Sequence, residues 1–210
     1  MRVAEETKYE KAADALYQES GGRLGTQYQT KLRKAKVVDI FQDWRFPGDT
    51  SSWYRGGRPS DLATLQPPSR WRRLSEDFVD VPYHFVNPAS GVFSPFQGRV
   101  YQGALEDFYL VAGMQAVSMK PQLVANIFVN MDFSDPRLGM FILRLYKHGQ
   151  WQYVEIDDAL PFDKGYNPLC ASGEFFPSCG WASLVEKAYA KLHGSWEGLG
   201  GGGHVEEVMA

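Results

Sequence analysis

Cysteine is scarce in this chain of 210 residues: only Cys170 and Cys179 are present. Two thiols are too few for a disulfide framework and fit a reducing compartment. Long apolar runs are missing as well. No stretch approaches the roughly 20 residues a membrane span requires, and the opening Met1-Arg2-Val3-Ala4-Glu5-Glu6 is neither a signal peptide nor a myristoylation site. There is no excess of positive charge, the formal net charge being -3. That balance argues against a general nucleic-acid binder, because neutralising phosphates takes clustered Lys and Arg. The absences together predict a cytoplasmic protein without a transmembrane segment, with cytoskeletal or membrane-surface association left open.

What the chain does have is material for a core. Hydrophobic residues make up 44% and aromatic residues 14%, enough for one or two globular domains. Residues 1–36 read as a helical extension, with Tyr9, Ala12, Ala13, Leu16 and Tyr17 at helical spacing. Lys31, Arg33, Lys34 and Lys36 follow, read as a solvated face or as a contact for an anionic membrane or partner. From Val37 to Tyr101 the composition turns proline-rich and aromatic, with Phe46-Pro47, Trp53-Tyr54 and Trp71-Arg72-Arg73. This stretch reads as irregular chain whose rings bury against a neighbouring scaffold.

The rest is organised around Gln102-Gly103-Ala104-Leu105-Glu106-Asp107-Phe108-Tyr109. A glycine allows a tight backbone path, Asp107 is a good helix cap, and an apolar run follows that predicts a buried helix from about Asp107 to Met119. Such a loop aims the residue at the helix start toward a cleft. Here that residue is Phe108, which carries no nucleophilic atom. A second helical piece is expected over Gln122 to Asn130, with Leu123, Val124, Ile127 and Phe128 on one side.

Met140 to Tyr146 and Trp151 to Ile156 read as a β-hairpin turning at residues 147–150, which places His148 in solvent. Asp157-Asp158 closes it. Neighbouring strand residues point to opposite faces, so this pair reads as structural and not as one shared ligand site. Trp181 to Leu192 is strongly helical and is preceded by Cys179, the one alternative nucleophile. A structural thiol is the better reading, since His193 lies at the far end of that helix and nothing in the sequence places His84, His148 or His204 beside it. The tail from Gly198 to Ala210 has five glycines in six positions. It lacks the Lys-Ser or Lys-Thr of a phosphate cradle and reads as a linker.

These stretches together resemble the calpain-like cysteine peptidases of the papain-like clan. Gln102 to Leu110 is similar to that family's nucleophile motif Gln-Gly-x-x-Gly-Asp-Cys-Trp-Leu. Val154-Glu155-Ile156-Asp157-Asp158-Ala159-Leu160-Pro161 resembles its Val-x-Val-Asp-Asp-x-Leu-Pro strand, and Trp181 to Lys191 its Trp-Ser-Ala-Leu-Leu-Glu-Lys-Ala-Tyr-Ala-Lys helix. The resemblance covers residues 37–207 and implies a mixed α/β (α+β) fold: the first half of the protease core, with a buried central helix, a β-hairpin and flanking helices.

Carried over by position, the resemblance makes Gln102 the oxyanion-stabilising amide and puts Phe108 where the cysteine nucleophile belongs, with Glu106 in place of a glycine. The family's histidine and asparagine come from the second half of its core. The family's calcium ligands three residues before the glutamine and two before the helix tryptophan fall on Arg99 and Cys179. A guanidinium and a thiol suit a hard cation poorly, so no bound calcium or other cofactor is expected. The resulting expectation is a pseudoenzyme used for binding, scaffolding or regulation. It would contact a protein partner or a second copy through the surface around Phe108 and Tyr109. The alternative is half of a calcium-dependent endopeptidase completed by a partner.

Overall fold

The computed structural model describes residues 41–57, 65–74, 98–128, 139–174, 176, 180–205 and 208. The expected helical extension of residues 1–36, His84 and Cys179 lie outside them. Chain order begins with a short helix α1 (Thr50–Trp53), capped by Asp49, whose carboxylate accepts from the Ser51 N–H. It is followed by a 3-10 turn (Arg55–Gly57) and strands β1 (Arg70–Arg73) and β2 (Val100–Tyr101). Then come helices α2 (Phe108–Ser118) and α3 (Pro121–Ile127), strands β3 (Met140–Lys147), β4 (Gln150–Asp157), β5 (Ala159–Phe162) and β6 (Ser172–Gly173), and helix α4 (Trp181–His193). A 3-10 turn (Glu197–Leu199) leads into the tail.

Among the described residues three small antiparallel sheets form, pairing β1 with β5, β2 with β6 and β3 with β4. The mixed fold class expected from the resemblance is present. The β3–β4 hairpin runs in register from Met140 opposite Asp157 to Lys147 opposite Gln150. Its turn residues His148 and Gly149 have φ of 53° and 75°. Two successive positive φ values match the right-handed twist of a tight hairpin, and His148 is exposed as expected.

Among the described helices the deepest is α4, in which every residue from Trp181 to Ala190 is buried. This corrects the expectation that the helix starting at Asp107 is the buried centre. Helix α2 buries only Leu110, Gly113, Met114 and Ser118 and leaves Ala112, Ala116 and the following Met119 in solvent. In α3 the expected apolar side divides: Val124 is buried and Phe128 beyond its end is too, while Leu123 faces out at 47% exposure. The aromatic loop residues behave as expected. Trp53, Trp71, Trp196 and Phe46 cluster with ring centroids 6.0–6.4 Å apart. The Trp53 indole donates to Gln66 O at 3.1 Å and the Tyr54 hydroxyl to Leu65 O at 3.1 Å. Trp44 is the exception, 73% exposed with Arg45 over its ring.

Charged residues hold α4 to the strands. Lys187, fully buried, donates to Asp157 Oδ1 and to Ala159 O. One turn on, Lys191 reaches Asp43 Oδ2 and Glu155 O, each at 2.6 Å. Asp157 also accepts from the Asp43 N–H at 2.8 Å and the Ala159 N–H at 3.0 Å. Asp157-Asp158 is therefore structural, but the sequence argument for it needs correction. Asp158 lies just past the strand, and both carboxylates face one guanidinium, with Arg73 2.5 Å from Asp158 and 3.9 Å from Asp157.

Candidate functional site

The loop from Gln102 to Asp107 is held against residues 169–171 by close backbone approach. Ala104 N–H donates to Leu169 O at 2.7 Å, and a Cβ on Gly103 would stand 2.2 Å from that same oxygen. Gly103 is thus needed for contact between two chain segments. The loop delivers Phe108 to the first position of α2 with its ring 66% exposed.

Asp107 is the N-cap by position, and its carbonyl accepts from Leu110 and Val111 N–H at 2.9 and 3.2 Å. Its carboxylate does not cap the helix, contrary to expectation, but turns inward. Gln102 Nε2 donates to Asp107 Oδ1 and to Leu105 O, both at 2.6 Å. Both N–H groups of the amide that the resemblance assigns to an oxyanion are therefore engaged within its own loop.

Beneath this loop lies a pair that sequence reasoning missed. Asp107 and Glu186 are both wholly buried, and the Asp107 charge acts on the Glu186 carboxyl. Glu186 Oε2 accepts from the Ala171 N–H at 2.6 Å, while Asp107 Oδ2 and Glu186 Oε1 have no hydrogen-bond partner among the described residues. Burial pushes the Glu186 carboxyl well above its ordinary value, and the Asp107 charge pushes it the same way. The signal was in the sequence only as a Glu at the sixth position of the Trp181–His193 helix, which reads as a solvated charge.

Cys170, on the segment that braces the loop, is buried and free. Burial and the nearby Glu186 raise its thiol well above the usual range, which makes it unreactive. His204 is exposed. His193 stacks on Tyr189 with ring centroids 4.4 Å apart, and its Nδ1 lies 2.8 Å from Tyr189 O.

Arg99 precedes β2, and its backbone is closed by Glu174. Arg99 N–H donates to Glu174 Oε2 at 3.1 Å and Glu174 N–H to Arg99 O at 2.9 Å. One of the Glu174 oxygens is thus already taken by a backbone donor beside a cationic side chain. Among the described residues no group of three or more His, Cys, Asp or Glu side chains gathers to hold a metal. No described helix is long and apolar enough to cross a membrane.

The face beside Phe108 is partly covered by the tail. Tyr109 donates its hydroxyl to Leu199 O at 3.4 Å and packs on Tyr189. Gly203 passes so close to the Tyr109 ring that a Cβ there would lie 2.5 Å from it. Further on, Val208 sits against Gly113 of α2. The glycine-rich stretch that reads as a linker thus meets Tyr109 at Leu199 and Gly203.

With this geometry in view, comparison with known proteins is direct. Residues 41–210 match the family model described as calpain family cysteine protease. The chain is similar to Calpain-10 of Rattus norvegicus, 34% identical over 173 residues, covering 80% of this chain and 24% of that protein. It is 30% identical to Calpain of Schistosoma mansoni over 187 residues, covering 87% of this chain and 23% of the relative. Similarity to Calpain-9 of Homo sapiens is 30% over 170 residues, 80% of this chain and 22% of the relative. The chain spans about a quarter of the length of these relatives.

Proposed function

The chain belongs to the calpain family of cysteine proteases, and from that premise we propose that it is a catalytically inactive member acting by binding, as a scaffold or regulator. The observation that carries this reading is Phe108. At the helix start that the resemblance gives to the nucleophile stands an exposed phenyl ring. A phenyl ring cannot attack a carbonyl carbon or form a thioester, and no positioning effect replaces the missing sulfur. Gln102 supports the reading, because its amide must leave both Leu105 O and Asp107 before it can hold a developing negative charge. The buried Cys170 is no substitute nucleophile.

Binding through this face is consistent with its chemistry. Phe108 and Tyr101 present large rings to solvent, and exposed aromatic groups serve as anchors in protein interfaces. Calcium is not part of the proposal. Arg99 brings positive charge where the family has an acid, and Glu174 is committed to the Arg99 backbone.

The test is peptidase activity of the purified chain on casein and on a fluorogenic peptide, with and without calcium, beside labelling by a thiol-directed protease inhibitor. The expected result is no turnover and no inhibitor-labelled adduct, unchanged in Phe108→Ala. Turnover that survives Phe108→Ala and is abolished by Cys179→Ser overturns the proposal. The retained Gln102 loop favours a second reading, half of a calcium-dependent endopeptidase completed by a partner. Activity appearing only when a separately expressed second half of a calpain core is added supports that reading instead, and requires a thiol other than one at residue 108.

A further inference from the structure

A groove of about 260 Å³ lies between α2, α3, the β3–β4 hairpin and α4. Met114, Trp181 and Val185 line its depth, and its rims carry the exposed side chains of Leu123, Tyr146 and Trp151. Tyr146 and Trp151 meet edge to face with centroids 5.2 Å apart, which holds the aromatic rim in place. Arg144 also lines the groove. Its guanidinium lies over the Trp151 ring at 4.8 Å, and its Nε is buried with no hydrogen-bond partner among the described residues.

An apolar trough with an aromatic rim and one under-bonded cation specifies its occupant. Apolar side chains at helical spacing would fill it, and a carboxylate beside them would satisfy the buried donor. One segment of this chain outside the described residues has that chemistry. Residues 4–20 carry Tyr9, Ala12, Ala13, Leu16 and Tyr17 at helical spacing, with five carboxylates against two lysines and neither glycine nor proline. The tether permits the contact, since residues 21–40 can extend up to roughly 66 Å at about 3.3 Å per residue.

We propose that residues 4–20 dock in this groove through Leu16 and Tyr17, set a carboxylate on Arg144, and act as an intramolecular cover for this face. The inference is independent of whether the chain is catalytic. Val208 already closes one side of the same groove, so both ends of the chain would converge on α2.

The test uses the full chain and a fluorescently labelled synthetic peptide of residues 4–20. In the unaltered chain the tethered segment competes at high effective concentration. The variant Leu16→Asp with Tyr17→Asp should therefore bind the peptide at least about tenfold more tightly than the unaltered chain. Adding Leu123→Asp, a change at an exposed rim residue that leaves folding intact by circular dichroism, should abolish the gain. Trp151→Glu provides a second rim variant with the same expectation. Arg144→Gln should weaken binding and reduce its salt dependence. Equal binding by the two chains, no binding to the Leu16/Tyr17 variant, or binding indifferent to Leu123→Asp and Trp151→Glu overturns the proposal. So does a dimer of the unaltered chain that becomes monomeric in the Leu16/Tyr17 variant, which would make a second copy the occupant.

Discussion

Glu186 carries a consequence for stability that its chemistry alone decides. Burial first, and then the Asp107 charge, raise its folded-state pKa well above the unfolded value. Between those two values the folded chain holds a proton that the unfolded chain has released. Stability conferred by this group is complete below the ordinary carboxylate range and is lost as pH rises toward the folded pKa. Glu186→Gln keeps an acceptor for the Ala171 N–H and removes the titrating carboxyl. Chemical denaturation across a pH series should show the unaltered chain losing stability as pH rises above the carboxylate range. In Glu186→Gln that slope should flatten, with stability at the upper end equal or higher. Glu186→Ala strands the Ala171 N–H and should cost about 1–3 kcal/mol. A slope unchanged in Glu186→Gln would place the titrating proton elsewhere.

Among the elements, α4 depends most on groups that sequence reading assigns to solvent. Lys187 is wholly buried and meets Asp157 and Ala159 O, while Lys191 meets Asp43 and Glu155 O. Breaking a buried pair leaves an uncompensated charge, and Lys187→Met should destabilise the fold by about 3–5 kcal/mol. Lys191 is more exposed than Lys187, and Lys191→Met should cost less. Thermal or urea unfolding of the two variants checks the order; a reversed order would mean that Asp157 is held mainly by Arg73 and the Asp43 and Ala159 N–H groups. The same network explains the Asp157-Asp158 motif as a joint for β4, β1 and α4 rather than as acid/base chemistry.

Over the whole molecule, the tail binds α2 by fitting glycine to a neighbour. A Cβ on Gly113 would lie 2.5 Å from Val208. Gly113→Ala pits a gain in helix propensity of about 1 kcal/mol against displaced packing of one tail residue. The helix term wins for the core and the steric term wins for the tail. The expected result is an unchanged or higher melting temperature together with faster limited proteolysis after Gly200. Proteolysis equal to that of the unaltered chain would show that the Tyr109 contacts at Leu199 and Gly203 hold the tail without Val208.

Much of the fold was legible because local rules suffice for it. Two β-favouring runs and a turn at residues 147–150 define the β3–β4 hairpin, apolar spacing defines α4, and a glycine followed by Asp and an apolar run locates the start of α2. The ordered motifs around Gln102, Asp157 and Trp181 likewise made the family readable, and the identity of residue 108 as phenylalanine is a matter of sequence alone. Tertiary structure decided what sequence spacing cannot carry. It put α4 rather than α2 at the centre, turned the Asp107 carboxylate from the helix start inward to Gln102 and the buried Glu186, engaged both Gln102 N–H groups within the loop, and laid the glycine-rich tail on Tyr109. These outcomes depend on which groups meet in the folded chain, from three residues apart at Gln102 to 90 at Tyr109, and on the loss of water around them. Burial reverses the ordinary reading of a charged residue only once its partner and its solvent exposure are known.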